Sequence, residues 1–419
     1  MLAAAALFLP VAAPATQIIV DVNQGGDHET IQDGIDAASE GDTVLVYPGT
    51  YTGEGNRDIE FGTKNIVLRG RDGAEATIVD ASPGVHRVFV FTGTGQDTTC
   101  VIDGLTITGG HQQDLYTGSG AGIYMDGTYP PYLPPSPKFA NCIVSGNQAF
   151  LGSGGGAYMN MGCSAVFRNV VFEDNLAYVG GGGVYCTFSS NAIFSDCVFR
   201  DNQNTTFGFG GGLGCKFESN ATLRNCLFDG NLGTSGGGVS CTDGAHPTID
   251  NCTFIGNTVG GGGDGGGLYC AGESMPTLRN CTFYGNRALG DGEGECIAAI
   301  ENSHPIVLRC IFVRSGYAPG SRLSSFYCEG GATLDVGQSC SYGNAYGDDM
   351  CGTVVCGSGF LICENPLFCD PAQGDLRLAE ASPCLPGNTW GVRIGAHGQG
   401  CSQPAVEQTS WGAIKALYR

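Results

Sequence analysis

Residues 180–202, GGGGVYCTFSSNAIFSDCVFRDN, carry the pattern from which the architecture of the chain follows. A glycine run leads into Val184-Tyr185-Cys186, an apolar stretch ends at Phe194, and Asp196-Cys197-Val198-Phe199 follows before the unit closes on Asn202. Side chains alternate sides along a strand, so Val184 and Cys186 share one face and Cys197 and Phe199 share another. Each short strand therefore has a single apolar face to bury.

The unit recurs with a spacing of 26 to 29 residues. Its last element reads Asn141-Cys142-Ile143-Val144, Asn169-Val170-Val171-Phe172, Asn225-Cys226-Leu227-Phe228, Asn251-Cys252-Thr253-Phe254 and Asn280-Cys281-Thr282-Phe283, and the closing asparagines are Asn147, Asn175, Asn202, Asn231, Asn257 and Asn286. Phe139, Phe167, Phe194, Leu223, Ile249, Leu278 and Val307 form a third inward set. Three short strands buried on one face cannot pair as hairpins and keep the repeat, whereas they can stack unit upon unit. The pattern predicts an all-β, right-handed parallel β-helix with about 4.8 Å between rungs. Glycine and asparagine suit its corners, where positive φ is required, and the asparagines can form hydrogen-bonded ladders. A helical solenoid is excluded because glycine costs about 1 kcal/mol relative to alanine inside a helix and no 3.6-residue apolar period is present.

Composition agrees with an exported solenoid. Glycine supplies 71 of 419 residues, charged residues 14%, and the net charge of -21 gives a pI of about 4.4. Such a surface repels phosphate backbones, so nucleic acid is not expected as a partner. It suits divalent cations, calcium among them, or simple solubility, and the sequence leaves the two open. Residues 1–15 read as a signal peptide, with an apolar core and Ala13-Pro14-Ala15 as the cleavage site, too short to span a membrane. With 21 cysteines in no metal-type cluster, the chain is expected to be secreted or displayed at the cell surface, with no membrane span.

Residues 16–60 read as an N-terminal cap with the first strands: Ile31, Ile35 and Ala38 share a helical face before Thr43-Val44-Leu45-Val46. The stretch TIQDGIDAASEGDTVLVYPGTY, residues 30–51, resembles the opening of pectin-lyase-like right-handed β-helix proteins. The tetrads Gly181-Gly182-Gly183-Val184 and Phe172-Glu173-Asp174-Asn175, with their repeats, resemble those of polymorphic outer-membrane proteins, which are surface adhesins. The β-helix repeats are assigned to 61–330. Residues 331–401 read as cysteine-rich terminal rungs and cap, their end resembling the closing segment of secreted bacterial β-helix proteins, and 402–419 as a tail.

Cysteines recur as pairs: Cys186 with Cys197, Cys215 with Cys226, Cys241 with Cys252, Cys270 with Cys281, and Cys296 with Cys310. Both slots are lost together in one unit, at Met159 and Val170, which favours disulfides across the core, each contributing about 2 to 3 kcal/mol. The alternative is a ladder of buried thiols. Cys363 and Cys369 are further disulfide candidates in the terminal region.

Two functional readings come from the outward positions. Tyr124, Tyr158, Tyr185 and Tyr269 fall between core residues of the glycine-led strand, so the first three are expected to form an exposed ladder, either a platform for sugar rings or a partner, or plain sheet stacking. Lys216 faces outward in a polar strip with Asp126, Asn160, Thr187 and Thr242, and is either a solvated lysine or a base beside a calcium-binding carboxylate. Outward Ile143, Val171, Val198 and Leu227 form an apolar strip, to be covered by the Pro-rich insertion 129–138 or left as an interaction face. No polygalacturonase-like set of partners accompanies Asp348-Asp349, and no HExxH-type spacing is present, so no catalytic or metal residue is assigned apart from Lys216. The reading is a structural, adhesive or carbohydrate-binding protein whose partner is a polysaccharide or cell-surface component. The alternative is a pectate-lyase-like polysaccharide lyase or a glycoside hydrolase acting on acidic polysaccharide.

Overall fold

The structure, a computed structural model, describes residues 15–114, 118–128, 133–206, 208–313, 325–342, 351, 361–362, 364–387 and 391–403. Within them the chain winds as a right-handed parallel β-helix of about 11 turns. Rungs already begin at Gln17–Val20. The first sheet runs from Gln17–Val20 to Asp335–Gly337, the second from Gly49–Thr52 to Leu361–Ile362, and the third from Ile59–Glu60 to Phe326–Cys328. A fourth ribbon of two-residue strands, from His111–Gln112 to Arg287–Ala288, follows the closing asparagines and has no counterpart in the three-strand reading of the sequence. Its strands are too short for an alternating pattern to register.

The interior is built in columns. Phe172, Phe199, Phe228, Phe254, Phe283 and Phe312 stack along the second sheet with ring centroids 4.4–5.1 Å apart. Phe139, Phe167 and Phe194 stack along the first at 5.2 and 5.0 Å. In-register pairing places identical side chains one rung apart, close to the preferred spacing of offset aromatic pairs.

Two sets of polar residues make the corners. Asn141, Asn169, Asp196, Asn225, Asn251 and Asn280 have φ of 51–57°, a left-handed conformation that Asn and Asp adopt more readily than other non-glycine residues. At the next corner, Asn147, Asn175, Asn202, Asn231, Asn257 and Asn286 are buried and joined rung to rung. Asn202 Nδ2 donates to Asn231 Oδ1 at 3.0 Å and to the Phe172 carbonyl at 2.8 Å, while its Oδ1 accepts from the Asn175 backbone N–H at 3.2 Å and side-chain amide at 2.9 Å. All four hydrogen-bonding capacities of a buried amide are thus met. The glycine run passes directly over this ladder: a Cβ on Gly183 would lie 2.6 Å from the Gly212 carbonyl oxygen and 3.0 Å from Asn202 Cγ.

The N-terminal helix, Ile31–Ala37, forms as expected. Thr30 caps it by accepting from the Asp33 N–H at 3.2 Å, and Ile31 and Ile35 turn inward over the first rungs. At the other end, Phe368–Asp370, Asp375–Ala379 and Gln399–Cys401 form a separate three-stranded sheet. This unit folds back against the flank of the second sheet, where Ile394, Leu376 and Leu378 pack with Ile311 and Val313. A strap over Arg393–His397 is tied down by Arg393 to Asn251 Oδ1 (2.7 Å), Gly395 N–H to the Arg309 carbonyl (2.8 Å), Ala396 N–H to Thr282 Oγ1 (3.0 Å) and His397 Nε2 against Thr253 Oγ1 (2.9 Å). No helix among the described residues is long and apolar enough to cross a membrane.

The cysteines correct the cross-core staple. Cys186, Cys197, Cys215, Cys226, Cys241, Cys252, Cys270, Cys281, Cys296 and Cys310 are all buried and form no disulfide. Cys186, Cys215, Cys241 and Cys270 lie in register in the third sheet. The second-slot thiols turn towards carbonyls of their own corner: Cys226 Sγ donates to Arg224 O at 3.3 Å, and Cys197 Sγ to Ser195 O at 3.3 Å. The partners of each supposed pair belong to different columns, so they contact the rungs above and below and not each other. Cys296 does not occupy the first slot at all: Ile297 pairs with Leu268, which sets Ala299 opposite Cys270. Disulfides occur in the terminal region, Cys328–Cys351 and Cys369–Cys401, so Cys369 is bonded as expected of a terminal staple. Cys363 lies outside the described residues, as do Asp348 and Asp349.

Candidate functional site

The outward face of the third sheet gathers the sequence candidates into two adjacent columns. Register places Val90, Tyr124, Tyr158, Tyr185, Gly214, Ser240 and Tyr269 in one. Thr92, Asp126 and Asn160 continue through the position of Thr187 to Lys216 and Thr242 in the other. Parallel, unbroken pairing is what aligns them, since a one-residue slip would turn every member inward.

The tyrosines stack, with Tyr124 to Tyr158 at 5.7 Å and 9° and Tyr158 to Tyr185 at 6.2 Å and 16°. They are not an exposed platform. Tyr185 is 8% and Tyr269 7% exposed, and the rings present their faces to one another. Arg87 closes the near end, its guanidinium carbon 4.2 Å above the Tyr124 ring. A neighbouring loop and the next rung close the rest: Cβ atoms on Gly180 and Gly214 would meet the Tyr185 ring at 2.6 and 2.7 Å. Phe209 leans over the gap left by Gly214 and Ser240 and stacks on Tyr269 at 5.9 Å. Burial raises the Tyr158 hydroxyl pKa to about 12, with the Asp126 charge adding to the effect.

The polar column is also largely buried, with Asp126, Thr187 and Thr242 at 5% exposed or less. Asp126 accepts from Tyr124 Oη at 2.8 Å, from the Thr128 N–H at 2.8 Å and from Asn160 Nδ2 at 3.1 Å. Lys216 Nζ stands 3.5 Å from Asp243 Oδ2, 4.7 Å from the centre of the Phe217 ring and 5.6 Å from that of Phe209. Asn160 Oδ1, Ser240 Oγ and Thr242 Oγ1 are buried and make no hydrogen bond. Buried polar atoms without partners are uncommon. Among the described residues, no group of three or more His, Cys, Asp or Glu is placed to hold a metal ion.

Sequence reasoning missed Arg87, Phe209, Phe217 and Asp243. All four come from loops and corners outside the strand pattern, so periodicity gave no signal for them. The Pro-rich insertion also goes elsewhere than expected. Leu133 bridges Thr94 and Pro134 lies beside Gly127 and Gly162, at the corner leaving the third sheet, so the strip of Ile143, Val171, Val198 and Leu227 is not covered by its described residues.

The family profile described as "Right handed beta helix region" matches residues 89–312 and 210–358, together more than half of the chain. The chain belongs to the right-handed β-helix family. No curated protein matches this β-helix. Among solved structures, it is similar to pectate lyase Pel9A at 14% identity and TM-score 0.42, covering 93% of this chain and 97% of that one. Carrot pectin methylesterase is 12% identical at TM-score 0.31, covering 78% and 85%, and the deglycosylated Aspergillus niger pectin methylesterase is 14% identical at 0.29, covering 77% and 87%. The function of this β-helix therefore has to be argued from its own residues.

Proposed function

We propose that the protein is an extracellular or cell-surface β-helix of adhesive and structural character that binds a polysaccharide along the outward face of its third sheet. The observation that carries this reading is the set of buried, partnerless polar atoms Asn160 Oδ1, Ser240 Oγ and Thr242 Oγ1 beside Lys216. Ser240 and Thr242 lie two residues apart on one strand, one rung from Lys216, and Asn160 lies three rungs from Thr242 in the same column, so a sugar chain laid along the sheet would span all of them. Lys216 supplies a cation for an acidic or hydroxyl group, oriented by Asp243 and the two phenyl rings. The disulfides of the terminal region and the likeness of the tetrads to those of surface adhesins support the extracellular setting.

The test is glycan binding by the whole protein and by Lys216→Met and Thr242→Val. Loss of at least tenfold in affinity in both variants, with the unfolding midpoint unchanged, is expected. Equal binding by the variants, or no binding to any neutral or acidic glycan, would sink the reading. Incubation with acidic polysaccharides and calcium separates the rival reading, since new unsaturated or reducing ends would identify a lyase or hydrolase.

A further inference from the structure

The corner that leads from the third sheet into the first holds a groove that the third-sheet reading does not use. It is an open depression of about 640 Å³, lined by Glu218, Asn220, His246, Glu273, Met275 and His304, with Gly244 and Asn302 completing it. Its form follows from the repeat. Glu218, Gly244, Glu273 and Asn302 occupy equivalent places in four successive rungs, as the hydrogen bonds Glu218 N–H to Asp243 O, Gly244 N–H to Gly272 O and Glu273 N–H to Glu301 O establish. Asn220, His246, Met275 and His304 form the opposite wall, two residues further along each turn. Between the walls, Ser219, Ala245, Ser274 and Ser303 are small and fully buried.

The chemistry of the walls is specific. The carboxylates of Glu218 and Glu273 are exposed and two rungs apart, about 9.6 Å along the axis. His246 Nδ1 accepts from the Met275 backbone N–H at 2.9 Å, which leaves the proton of the neutral ring on Nε2. His304 Nδ1 lies 2.9 Å from Thr333 Oγ1. At the upper end of the groove the chain adds an apolar platform. Phe188 and Phe217 stack at 4.7 Å, are 43% and 38% exposed, and are held at φ of 49° and 48°. Bulky side chains are strongly disfavoured in that conformation, and here it presents both rings to solvent.

We infer that this corner binds an amine-bearing sugar chain, a glucosamine-type oligomer. Ammonium groups match the two carboxylates in charge and form charge-assisted hydrogen bonds with them. The imidazole and Asn302 amide suit ring hydroxyls, and the Phe188–Phe217 pair offers the apolar surface that a sugar ring covers. The two-rung separation of the carboxylates corresponds to alternate residues of an extended β-linked chain, whose same-facing substituents recur once per disaccharide. The chain's net charge of -21 draws such a cation in.

Calorimetric titration of the whole protein with glucosamine hexamer, N-acetylglucosamine hexamer and a lysine hexamer tests the assignment. Binding of the glucosamine hexamer is expected, at least tenfold tighter than either of the others. Glu218→Gln with Glu273→Gln should weaken it at least tenfold while the circular dichroism melting curve stays in place, because both side chains are exposed. Phe217→Ala should weaken it as well, and Thr242→Val, which alters the third-sheet face alone, should leave it unchanged, so the two sites are separable. Absence of binding, equal binding of the lysine hexamer, or full binding by the double glutamine variant would overturn the inference.

Discussion

Asn231 shows how much one residue type contributes at this corner. Its amide donates to Asn257 Oδ1 at 2.9 Å and to the Phe199 carbonyl at 2.8 Å, and it accepts from the backbone and side chain of Asn202. Asn231→Ala removes both capacities and strands buried partners, so a loss of about 3 kcal/mol is expected, measured by denaturant unfolding. Asn225, exposed at the left-handed corner with φ 55°, is expected to cost about 1 kcal/mol or less on the same substitution. The thiols make a second residue-scale prediction. Burial raises Cys100, Cys142 and Cys163 to pKa values of about 12, so at pH 8 these side chains are protonated and sealed in the core. Alkylation should be negligible in the native protein and should reach the column cysteines once it is unfolded without reductant. If unfolding exposes few thiols, the free-thiol ladder is wrong and the cross-core staple returns. The asparagine ladder was legible from repetition alone because each copy occupies the same slot. The state of the cysteines was not, because recurrence at a fixed interval is equally compatible with a bond across the rung and with stacking along it.

At the scale of elements, the strap over Arg393–His397 is a contact that responds to pH. Desolvation, and then the charge of Arg393, lower the His397 pKa below its ordinary value of 6.5, while Asp375 opposes them and Arg377 adds to them. The folded strap therefore binds fewer protons than the unfolded chain in that range, and its contribution to stability is full above about pH 6.5 and is lost as pH falls below it. Hydrogen exchange or proteolysis of residues 391–403 should accelerate between pH 7 and 5, and His397→Gln should flatten that dependence. The tyrosine column belongs to the same scale. Its rings are stacked and roofed by loops, so Tyr185→Ala is expected to destabilise by about 3 kcal/mol in thermal or denaturant unfolding. The strand phase of Tyr124, Tyr158 and Tyr185 was readable from alternation, and so was their stacking. Their cover was not, because Phe209 and Gly180 sit in loops whose path is fixed by contacts between rungs.

For the whole molecule, one rung is the unit of architecture. Deleting residues 225–250 joins Arg224 to Asn251 and leaves every column in phase, since Asn225 and Asn251 occupy the same place in successive rungs. The shortened protein should remain folded, with circular dichroism and hydrodynamic radius reporting a β-helix one rung shorter. Removal of half a rung would set second-sheet residues against first-sheet columns and should abolish cooperative unfolding. The sequence by itself determined the solenoid, its inward face and the corner residues, because those follow from local alternation and from a repeat whose copies must stack. Only the tertiary structure decided that the thiols remain separate, that the tyrosines are covered, that the terminal unit lies along the second sheet, and that Glu218, His246, Glu273 and His304 line one groove. Those features depend on where corners and loops from different rungs meet, and neither a two-residue period nor a 26 to 29 residue spacing specifies that.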